Sequence, residues 1–570
     1  MPRNGQRTTD NGQILNIASY LPLMAKKQPS EPAIFFPQGK DKNGEVNYTH
    51  YTFKQLDQES DYIARGLEKS GIGRGVRTVL MVPPSPDFFS LTFAMFKVGA
   101  VPVMIDPGIG IRNIKDCLAQ AEPEAFIGIP KAHLARILLG WGRATIRINI
   151  TAGRRLFWKG TTLVRIRKTG EAENSYEMAQ TREDDTAAIL FTSGSTGPPK
   201  GAVYTHGNFT AQVEIIRNTF QIEPGEIDLP TFPLFALFDP ALGMTTVIPD
   251  MDPTRPALVD PENIIGPIHK FNITNMFGSP ALLNRVGRYG AECGIKCPTL
   301  RRVISAGAPA STLVLERFSQ MLSPDSQIFT PYGATEAMPV SSIGSHEILQ
   351  ETKHLTDEGK GVCVGKPVNE MTVAVISITD DIVAEWDDGL KLPQSHIGEI
   401  VVKGPTATPA YYKKETATRF AKIYEKDGNG FWHRMGDLGM FDEQGRLWFC
   451  GRKTHRVITK SGTLYTIPCE AVFNTHPKVY RTALVGVEIN GETEPVICVE
   501  LEEVSTVANL ETIKEELLTL GHSRPHTKDI KEILFHHGFP VDIRHNAKIF
   551  REKLAIWAEK RLPPSKRCSK

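Results

Sequence analysis

The segment at residues 186–207, TAAILFTSGSTGPPKGAVYTHG, combines residue types that can bind phosphate. Residues 186–191 are small, apolar or β-branched, a pattern that predicts a buried strand. Hydroxyl side chains, glycines and a lysine follow. Glycines let backbone N–H groups approach an anion, hydroxyls add donors and lysine adds positive charge, so we expect a phosphate-binding loop. The candidate phosphate ligands are Thr192, Ser193, Gly194, Ser195, Thr196, Gly197 and Lys200.

A polar turn between two strands is the alternative interpretation of this loop, because Gly, Ser, Thr and Pro commonly cluster in turns. The segment differs from the NTPase loop G-x-x-x-x-G-K-[ST]. Gly201 follows Lys200, and Pro198 and Pro199 precede it, where the NTPase motif requires a helix to begin. The residues therefore indicate a phosphate loop of another kind.

The loop resembles the phosphate loop of the AMP-forming adenylating enzymes, the superfamily of acyl-CoA synthetases, luciferases and peptide-synthetase adenylation domains. A second motif, Tyr332-Gly333-Ala334-Thr335-Glu336, matches the Y-G-x-T-E of that family. The resemblance implies that Tyr332 and Gly333 pack along adenine and that Thr335 bonds the α-phosphate. It also implies that Glu336 helps to hold Mg²⁺. A structural turn is the alternative for five residues taken alone.

A third motif, His433–Gly439, resembles the G-D motif in which an aspartate, here Asp437, accepts hydrogen bonds from both ribose hydroxyls. An aspartate in a glycine-flanked turn is the alternative. The segment at 451–454 resembles the hinge motif, which places Arg452 near the ribose and the pivot at Thr454. The spacing to Gly462 is one residue longer than usual, so the position of the pivot stays open.

The C-terminal segment PVDIRHNAKIFREKL, residues 540–554, resembles the family's terminal P-x-x-x-x-G-K-x-x-R loop. Ala547 replaces the usual glycine, whereas Lys548 and Arg551 are in register. A lysine is cationic at neutral pH, so the resemblance gives Lys548 the catalytic role of bridging the carboxylate and the α-phosphate. These motifs occur in the family's order across the chain.

Two further regions are assigned to the site by position and by the resemblance. Gly307, Ala308 and Pro309 form a turn after a predicted strand at 300–304, and α/β folds place ligands at such strand ends. Phe232, Phe235 and Phe238 recur at every third residue of PTFPLFALFDPALG. They indicate either core packing or, since this region borders the acyl pocket in the family, an acyl-chain wall. The family's usual histidine near this point is replaced by Ala236. The resemblance adds Ser279 to the same pocket.

The predicted secondary structure around these motifs follows an α/β pattern. We expect helices at 14–26, 51–71, 87–98 and 208–220, and the strand–helix–strand run 78–105 predicts a βαβ unit. The resemblance implies a large, multi-subdomain N-terminal α/β body with a small, mobile α+β C-terminal domain. The expected divisions are a disordered tail at 1–12, the N-terminal domain at 13–451, the C-terminal lid at 452–560 and a basic tail at 561–570.

The composition is that of an ordinary globular protein of more than one domain. The 570 residues are 41% hydrophobic and 23% charged, and the net charge of +2 gives no general attraction to nucleic acid. The eight cysteines include no C-x-x-C pair, which favours thiols in a reducing compartment. The polar N-terminus lacks the apolar core of a signal peptide, so we expect a cytoplasmic enzyme.

Residues 131–170 contain ten Lys or Arg and no Asp or Glu. One interpretation is peripheral contact with an anionic membrane surface or an acidic partner. The other is a solvated insertion on the α/β body. The sequence leaves both open.

Several segments, among them FPLFALFDPALG, RLWFCGRKTHRV and FPVDIRHNAKIFREKLAIWA, resemble the olefin β-lactone synthetase branch of the superfamily. The resemblance implies ATP- and Mg²⁺-dependent adenylation of a long-chain 2-alkyl-3-hydroxy acid, closure to a β-lactone, and other enzymes of a hydrocarbon or lipid pathway as partners. A long-chain fatty-acid–CoA ligase using coenzyme A is the alternative. A non-catalytic nucleotide-binding regulator is the remote alternative, which the intact motif residues oppose.

Overall fold

The computed structural model describes residues 15–192, 199–489, 491–502, 507–541 and 549–562. The chain divides into two compact units. Unit 1 comprises Met1–Asp228, Pro233–Ile248 and Pro405–Glu415. Unit 2 comprises Leu229–Phe232, Pro249–Gly404 and Thr416–Lys570.

The helices of the described residues have the following bounds: α1 Tyr20–Lys27, α2 Phe53–Lys69, α3 Pro86–Lys97, α4 Ile111–Ala121, α5 Pro130–Leu139, α6 Leu163–Gly170, α7 His206–Phe220, α8 Pro233–Ala236, α9 Asp239–Leu242, α10 Glu262–Lys270, α11 Pro280–Cys293, α12 Thr312–Ser319, α13 Ser345–Glu347, α14 Lys353–Asp357, α15 Glu415–Ala421, α16 Thr466–Asn474, α17 Val507–His522 and α18 Arg551–Arg561.

The strands have the following bounds: β1 Pro32–Lys40, β2 Val46–Thr52, β3 Arg77–Met81, β4 Val101–Ile105, β5 Ala125–Gly128, β6 Ile148–Thr151, β7 Thr161–Thr162, β8 Thr186–Thr192, β9 Lys200–Thr205, β10 Ile227–Pro230, β11 Thr245–Val247, β12 Asn275–Phe277, β13 Arg302–Ile304, β14 Gln327–Ala334, β15 Ala337–Gly344, β16 Val362–Pro367, β17 Thr372–Ile376, β18 Gly398–Lys403, β19 Ala410–Tyr411, β20 Lys422–Tyr424, β21 Phe431–Phe441, β22 Leu447–Arg452, β23 Val457–Thr459, β24 Gly462–Leu464, β25 Val479–Ile489, β26 Glu492–Leu501 and β27 Glu532–Phe535.

Unit 1 is built on an eight-stranded sheet in the order β19-β9-β8-β4-β3-β5-β6-β7. Helices α3, α4 and α5 alternate with the parallel strands β3 to β6, because each parallel connection needs a crossover. Buried Val79, Val103 and Phe126 form part of its core. The predicted βαβ unit and α/β class are confirmed.

Local sequence explains where the helices of unit 1 begin. Thr52 and Gln55 form a capping box at the start of α2. Ser85 caps α3, with Pro86 in the first turn. The helix predicted from residue 208 begins two residues earlier, because Thr205 is its N-cap and accepts a hydrogen bond from the backbone N–H of Asn208.

Unit 2 contains a second sheet, in which neighbouring strands follow the order β17-β18-β21-β22-β16-β15-β14-β13-β12, with β20 paired to β21. Strands β12, β13 and β14 are parallel, and the remaining pairs of this series are antiparallel. The two strands that carry the third and second motifs, β21 and β14, therefore belong to one sheet.

The C-terminal part of unit 2 is smaller and has the predicted α+β composition. Strands β25, β26 and β27 form a separate sheet with both antiparallel and parallel pairs. Phe473, Leu484, Ile497 and Ile513 are fully buried beside it. The predicted boundary at 451/452 falls at the end of β22, and the domain limits stay a prediction.

The described residues also allow statements about membrane-spanning helices and about cysteines. No helix in the described part of the chain is long and apolar enough to cross a bilayer. All seven cysteines of the described residues are free thiols. Burial raises the pKa of Cys297 to about 11 and that of Cys469 to about 12, which keeps both thiols protonated at neutral pH.

Candidate active site

The side chains of Tyr332 and Asp437 meet, although their strands are not adjacent in the order of the unit 2 sheet. Tyr332 lies on β14, and its hydroxyl donates a 2.7 Å hydrogen bond to Oδ2 of Asp437 on β21. Asp437 is 3% exposed. Antiparallel pairing of β21 with β22 places Arg452 opposite Asp437, and the guanidinium lies 2.9 Å from Oδ1. The structure thus brings together three residues that the sequence assigns to the adenosine site.

The second carboxylate oxygen of Asp437 retains acceptor capacity. Although Arg452 forms an ion pair with it, Oδ1 accepts no hydrogen bond from the described residues. The guanidinium instead donates to the backbone carbonyl of Met435 at 3.2 Å. A buried carboxylate oxygen without a donor fits a ligand that brings a hydroxyl, such as a ribose.

The groups around Asp437 shift the pKa of its carboxyl group in opposite directions. Burial raises the pKa of this carboxyl group, while Arg452 and the Tyr332 hydroxyl lower it and Glu336 and Glu399 raise it. Burial and the nearby Asp437 also raise the pKa of Tyr332, so the phenol stays protonated and donates. The Tyr332–Asp437 hydrogen bond therefore has a defined direction.

The Y-G-x-T-E motif forms a tight β-hairpin. Strands β14 and β15 pair at Ala334 and Ala337, which leaves Thr335 and Glu336 as the two turn residues. A Cβ on Gly333 would lie 2.6 Å from the carbonyl oxygen of Ala337, so only glycine fits that hairpin without a shift. The hairpin projects a hydroxyl and a carboxylate from one turn, and their ligand roles stay predictions.

Lys422 is a residue that the motifs did not indicate. Its amino group is buried, 3.0 Å from Nδ1 of His433 on the neighbouring strand, and it lies 4.6 Å from the ring centre of Phe431. Burial lowers its pKa to about 7, and Glu336 opposes that shift. Glu336 therefore lies in the electrostatic environment of both Lys422 and Asp437. No short motif could reveal Lys422, because only the pairing of β20 with β21 brings it to this site.

The predicted ligand-binding turn after β13, Gly307-Ala308-Pro309, follows a buried hydroxyl group that has no hydrogen-bond partner among the described residues. Ser305 follows the strand, is 2% exposed, and its hydroxyl has no hydrogen-bond partner among the described residues. Gly307 adopts a φ of 96°, a left-handed conformation that favours glycine. Ala308 and Pro309 follow before Ser311 caps α12. This helix ends at Ser319.

The predicted hinge lies between two sets of ionic contacts. Thr454 is the middle residue of a 3₁₀ turn at Lys453–His455. Lys453 contacts Glu399 at 3.2 Å, and Glu399 also pairs with the buried Arg434 at 2.6 Å. Arg456 contacts Asp380 at 2.7 Å. Both flanks of Thr454 are thus tied to the preceding part of unit 2, and its role as a pivot stays a prediction.

The proposed catalytic Lys548 lies outside the described residues, but both ends of its loop are fixed. An isolated antiparallel bridge joins Val541 to Ile549. Arg551 then forms a two-pronged ion pair with the buried Glu470 of α16, with the shortest contact at 2.7 Å. The arginine in register with the family motif therefore anchors the loop to the C-terminal sheet region.

In unit 1, the predicted phosphate loop joins two paired strands. Thr192 ends β8 and is the register partner of Lys200 at the start of β9. A strand follows Lys200, which agrees with the expectation that this is not an NTPase loop. The Lys200 amino group lies 5.1 Å from the ring centre of Tyr411. Ser193, Gly194, Ser195, Thr196 and Gly197 are not among the described residues.

The candidate acyl-pocket residues do not share one element. Phe235 lies on α8 in unit 1, Phe238 follows it and packs edge-on against Phe209 at 6.4 Å, and Phe232 belongs to unit 2. All three predicted phenylalanines are half-buried, so their exposure excludes neither core packing nor an acyl wall. Ser279 is buried, and its hydroxyl caps α11.

A buried carboxyl pair beside this region was not predicted. Asp239 begins α9 and accepts a 2.9 Å hydrogen bond from the hydroxyl of Thr246 on β11. Parallel pairing of β10 with β11 brings Asp228 opposite Thr246. Burial and the neighbouring Asp228 raise the pKa of Asp239 well above its ordinary value, because two buried carboxylates repel each other. The Asp239 carboxyl group therefore holds its proton to a higher pH than an ordinary aspartic acid does.

The fold is that of an adenylate-forming enzyme, and comparison with known proteins agrees. The chain belongs to the AMP-binding enzyme family, whose profile matches residues 23–412. It is therefore an AMP-forming ligase.

Two curated relatives match almost the whole chain. It is 50% identical over 562 residues to a protein named Olefin beta-lactone synthetase from Xanthomonas campestris pv. campestris, covering 98% of this chain and 99% of that one. A second protein of that name, from Stenotrophomonas maltophilia, is 50% identical over 552 residues, covering 96% and 98%. Among solved structures, the anthranilate CoA ligase AuaEII in complex with anthranoyl-AMP has a TM-score of 0.77 at 18% identity, covering 97% of this chain and 99% of that one. That last likeness shows the fold.

Proposed function

We propose that this protein adenylates a long-chain 2-alkyl-3-hydroxy acid with ATP and then closes the acid to a β-lactone, releasing pyrophosphate and AMP. The observation that carries the proposal is 50% identity, over nearly the whole chain, to two proteins named Olefin beta-lactone synthetase. The arrangement of Tyr332, Asp437 and Arg452 supports nucleotide binding. The long chain and the 2-alkyl group are the parts of the proposal that rest on the resemblance alone.

Asp437 is the proposed ribose acceptor. Its Oδ2 is occupied by the Tyr332 hydroxyl, so the acceptor capacity of Oδ1 is directed at the nucleotide. Burial raises the pKa of Asp437, and Arg452 opposes that shift and orients the carboxylate from 2.9 Å. The adenine is proposed to pack along Tyr332, whose ring lies 6.0 Å from that of Phe449.

Mg²⁺ is the proposed metal, and Glu336 is its proposed protein ligand. No group of three or more His, Cys, Asp or Glu that could hold a metal ion occurs in the described residues. A single carboxylate nevertheless suits Mg²⁺, which proteins commonly hold by one or two carboxylates together with substrate phosphates. The bound ion would neutralise phosphate charge. Thr335 would donate to the α-phosphate, and the loop that follows Thr192 would bind the remaining phosphates with Lys200.

The reaction requires positioning and charge stabilisation rather than a protein nucleophile. In the first step a carboxylate oxygen of the substrate attacks the α-phosphorus, and the bond to pyrophosphate breaks. Lys548 would stabilise the charge that develops between carboxylate and phosphate. In the second step the 3-hydroxyl oxygen attacks the acyl carbon, the bond to AMP breaks and the hydroxyl proton is released. Because the hydroxyl belongs to the same molecule, no second substrate has to be bound.

The proposal is tested by supplying ATP, Mg²⁺ and a long-chain 2-alkyl-3-hydroxy acid without coenzyme A. Mass spectrometry should find AMP, pyrophosphate and the acid less one water. The matched 3-deoxy acid should stop as acyl-AMP after at most one turnover. A thioester as the main product when coenzyme A is present, with no lactone in its absence, would identify an acyl-CoA ligase instead. Absence of pyrophosphate release with every acid would indicate the nucleotide-binding regulator.

A further inference from the structure

Unit 1 exposes large apolar side chains in one segment. Sixteen such side chains are exposed in the described residues, and seven of them lie between Leu134 and Val164. Leu138 on α5 and Phe157 in the loop before β7 are each 74% exposed. Large exposed apolar patches mark interaction sites on protein surfaces. This concentration is what the sequence alone could not show.

Buried aromatic side chains connect α5 to the loop that follows β6. His133 of α5 stacks on Trp158 with ring centres 5.1 Å apart, and Trp158 contacts Phe157 at 5.4 Å. His133 and Trp158 are buried. Trp158 is fixed further by a 2.9 Å hydrogen bond from its indole N–H to Thr151. The loop is therefore held against α5 by a buried aromatic pair, with Phe157 exposed beside it.

The helix itself has an outward apolar face. Leu134, Ile137 and Leu138 are spaced i, i+3 and i+4, which places them on one side of α5, and all three are exposed. Lys131 lies one turn before Leu134 on the same side and is also exposed. We call α5 and residues 153–159 together the α5 surface.

Cationic side chains are exposed in the same segment, residues 131–170. Part of the positive charge of residues 131–170 is used within unit 1, since Arg167 forms ion pairs with Glu59 and Asp87. Other cationic side chains of the segment are exposed: Lys131, Arg143, Arg154, Lys159, Arg165 and Lys168. Because the whole chain has a net charge of only +2, this is a local feature with no acidic residue in the segment.

We propose that the α5 surface docks the protein on an anionic phospholipid bilayer. Leu138 and Phe157 enter the interface between headgroups and acyl chains, while Lys131, Arg154 and Lys159 contact lipid phosphates. Apolar side chains flanked by Lys and Arg are typical of interfacial membrane contacts. The inference concerns this surface alone and does not depend on the product of the reaction.

Sedimentation of the full-length protein with phosphatidylcholine vesicles, with and without phosphatidylglycerol, tests the proposal. We expect binding to the anionic vesicles that weakens as salt is raised. The variant Arg154→Glu/Lys159→Glu should lower the partition coefficient by at least about 30-fold, since each of the two lost cations contributes about fivefold and the new carboxylates are repelled by the anionic surface. Leu138→Ser/Phe157→Ser should lower it at least about tenfold.

Matched controls separate the surface from general changes in charge and hydropathy. Lys40→Glu/Lys42→Glu, at the end of β1 and just beyond it, and Leu258→Ser, an exposed leucine of unit 2, should bind as the unchanged protein does. All these side chains are exposed, so each variant should retain pyrophosphate release with a short, water-soluble hydroxy acid. Equal sedimentation with both vesicle types, or equal loss in the control variants, would overturn the proposal. Binding to polyglutamate but to neither vesicle would overturn it in favour of an acidic protein partner.

Discussion

The hydroxyl of Tyr332 occupies one oxygen of Asp437 and leaves the other without a hydrogen bond from the described residues. Tyr332 comes from β14 and Asp437 from β21, 105 residues later in the chain. Together with the Arg452 ion pair, this contact fixes the orientation of the buried carboxylate, and nucleotide affinity should depend on it.

Tyr332→Phe should raise KM for ATP about tenfold with a smaller change in kcat. Removing the donor leaves a buried carboxylate oxygen unsatisfied, which costs about 1–3 kcal/mol, and Asp437 loses its fixed orientation. Initial rates of pyrophosphate release against ATP concentration measure the effect. Tyr424→Phe is the control, since Tyr424 is 45% exposed in the same unit. An unchanged KM for ATP in Tyr332→Phe would show that this hydrogen bond does not contribute to nucleotide binding.

Lys548→Ala should reduce pyrophosphate release by roughly 10²–10³, the usual cost of one charge-stabilising donor. The proposed contact forms only as charge develops, so ATP binding and thermal stability should barely change. Lys553→Ala is the matched control. Lys553 is an exposed lysine nearby on α18, and its amino group lies 4.6 Å from the ring centre of Phe550. Full activity of the Lys548→Ala enzyme would contradict the catalytic role of Lys548.

Thr454→Pro should change the two half-reactions unequally. Proline fixes φ at about −65° in the turn between Lys453 and His455, where we expect the C-terminal domain to reorient. Single-turnover experiments measure acyl-AMP formation and its consumption separately. Thr454→Ala, which leaves φ free, should behave as the unchanged protein does. If proline slowed both steps by the same factor, the pivot would lie elsewhere.

Asp239→Asn should stabilise the protein, and more so at pH 8 than at pH 5. Burial and Asp228 raise the pKa of Asp239 above its ordinary value of 3.8, so the folded protein binds more protons than the unfolded chain above that pH. Stability from this group is therefore present at low pH and falls as pH rises towards the folded pKa. Each unit of pKa difference corresponds to about 1.4 kcal/mol.

Urea-unfolding midpoints at the two pH values measure that effect. The asparagine can still accept from Thr246, and its amide can donate to Asp228, so the expected gain is about 1 kcal/mol at pH 8. Asp184→Asn, an exposed carboxylate of unit 1, should leave the midpoints unchanged. Lower stability of Asp239→Asn at pH 8 would show that the ionised pair is favourable.

Local patterns of the sequence predicted the elements and motif positions well. The strand before the phosphate loop, the βαβ unit and the strand ending at Ile304 follow from apolar runs and helix caps that lie close together in the chain. The predicted helix at 14–26 is a 3₁₀ turn at Ile17–Ser19 followed by α1. The Asn16 side chain accepts from the N–H of Ala18, a local competition that hydrophobic periodicity does not include.

Residues that depend on strand pairing could not be predicted. Lys422 reaches His433 only because β20 pairs with β21, and Asp228 lies near Asp239 only through the register of β10 and β11. The α5 surface needed the exposures of individual side chains, since its charge pattern alone fits a solvated insertion equally well. A motif specifies residue types. Which side chains come into contact depends on burial and on the register of the paired strands.

Labelling both carboxylate oxygens of the substrate distinguishes adenylation of the carboxylate from adenylation of the hydroxyl. A 2-alkyl-3-hydroxy acid carrying ¹⁸O at both carboxylate positions is converted with ATP and Mg²⁺, and the products are weighed by mass spectrometry. If the carboxylate is adenylated and the hydroxyl closes the ring, AMP gains one ¹⁸O and the lactone keeps one, in its carbonyl. If the hydroxyl were activated instead and displaced by the carboxylate, the lactone would keep both labels and AMP would carry none, which would contradict the account.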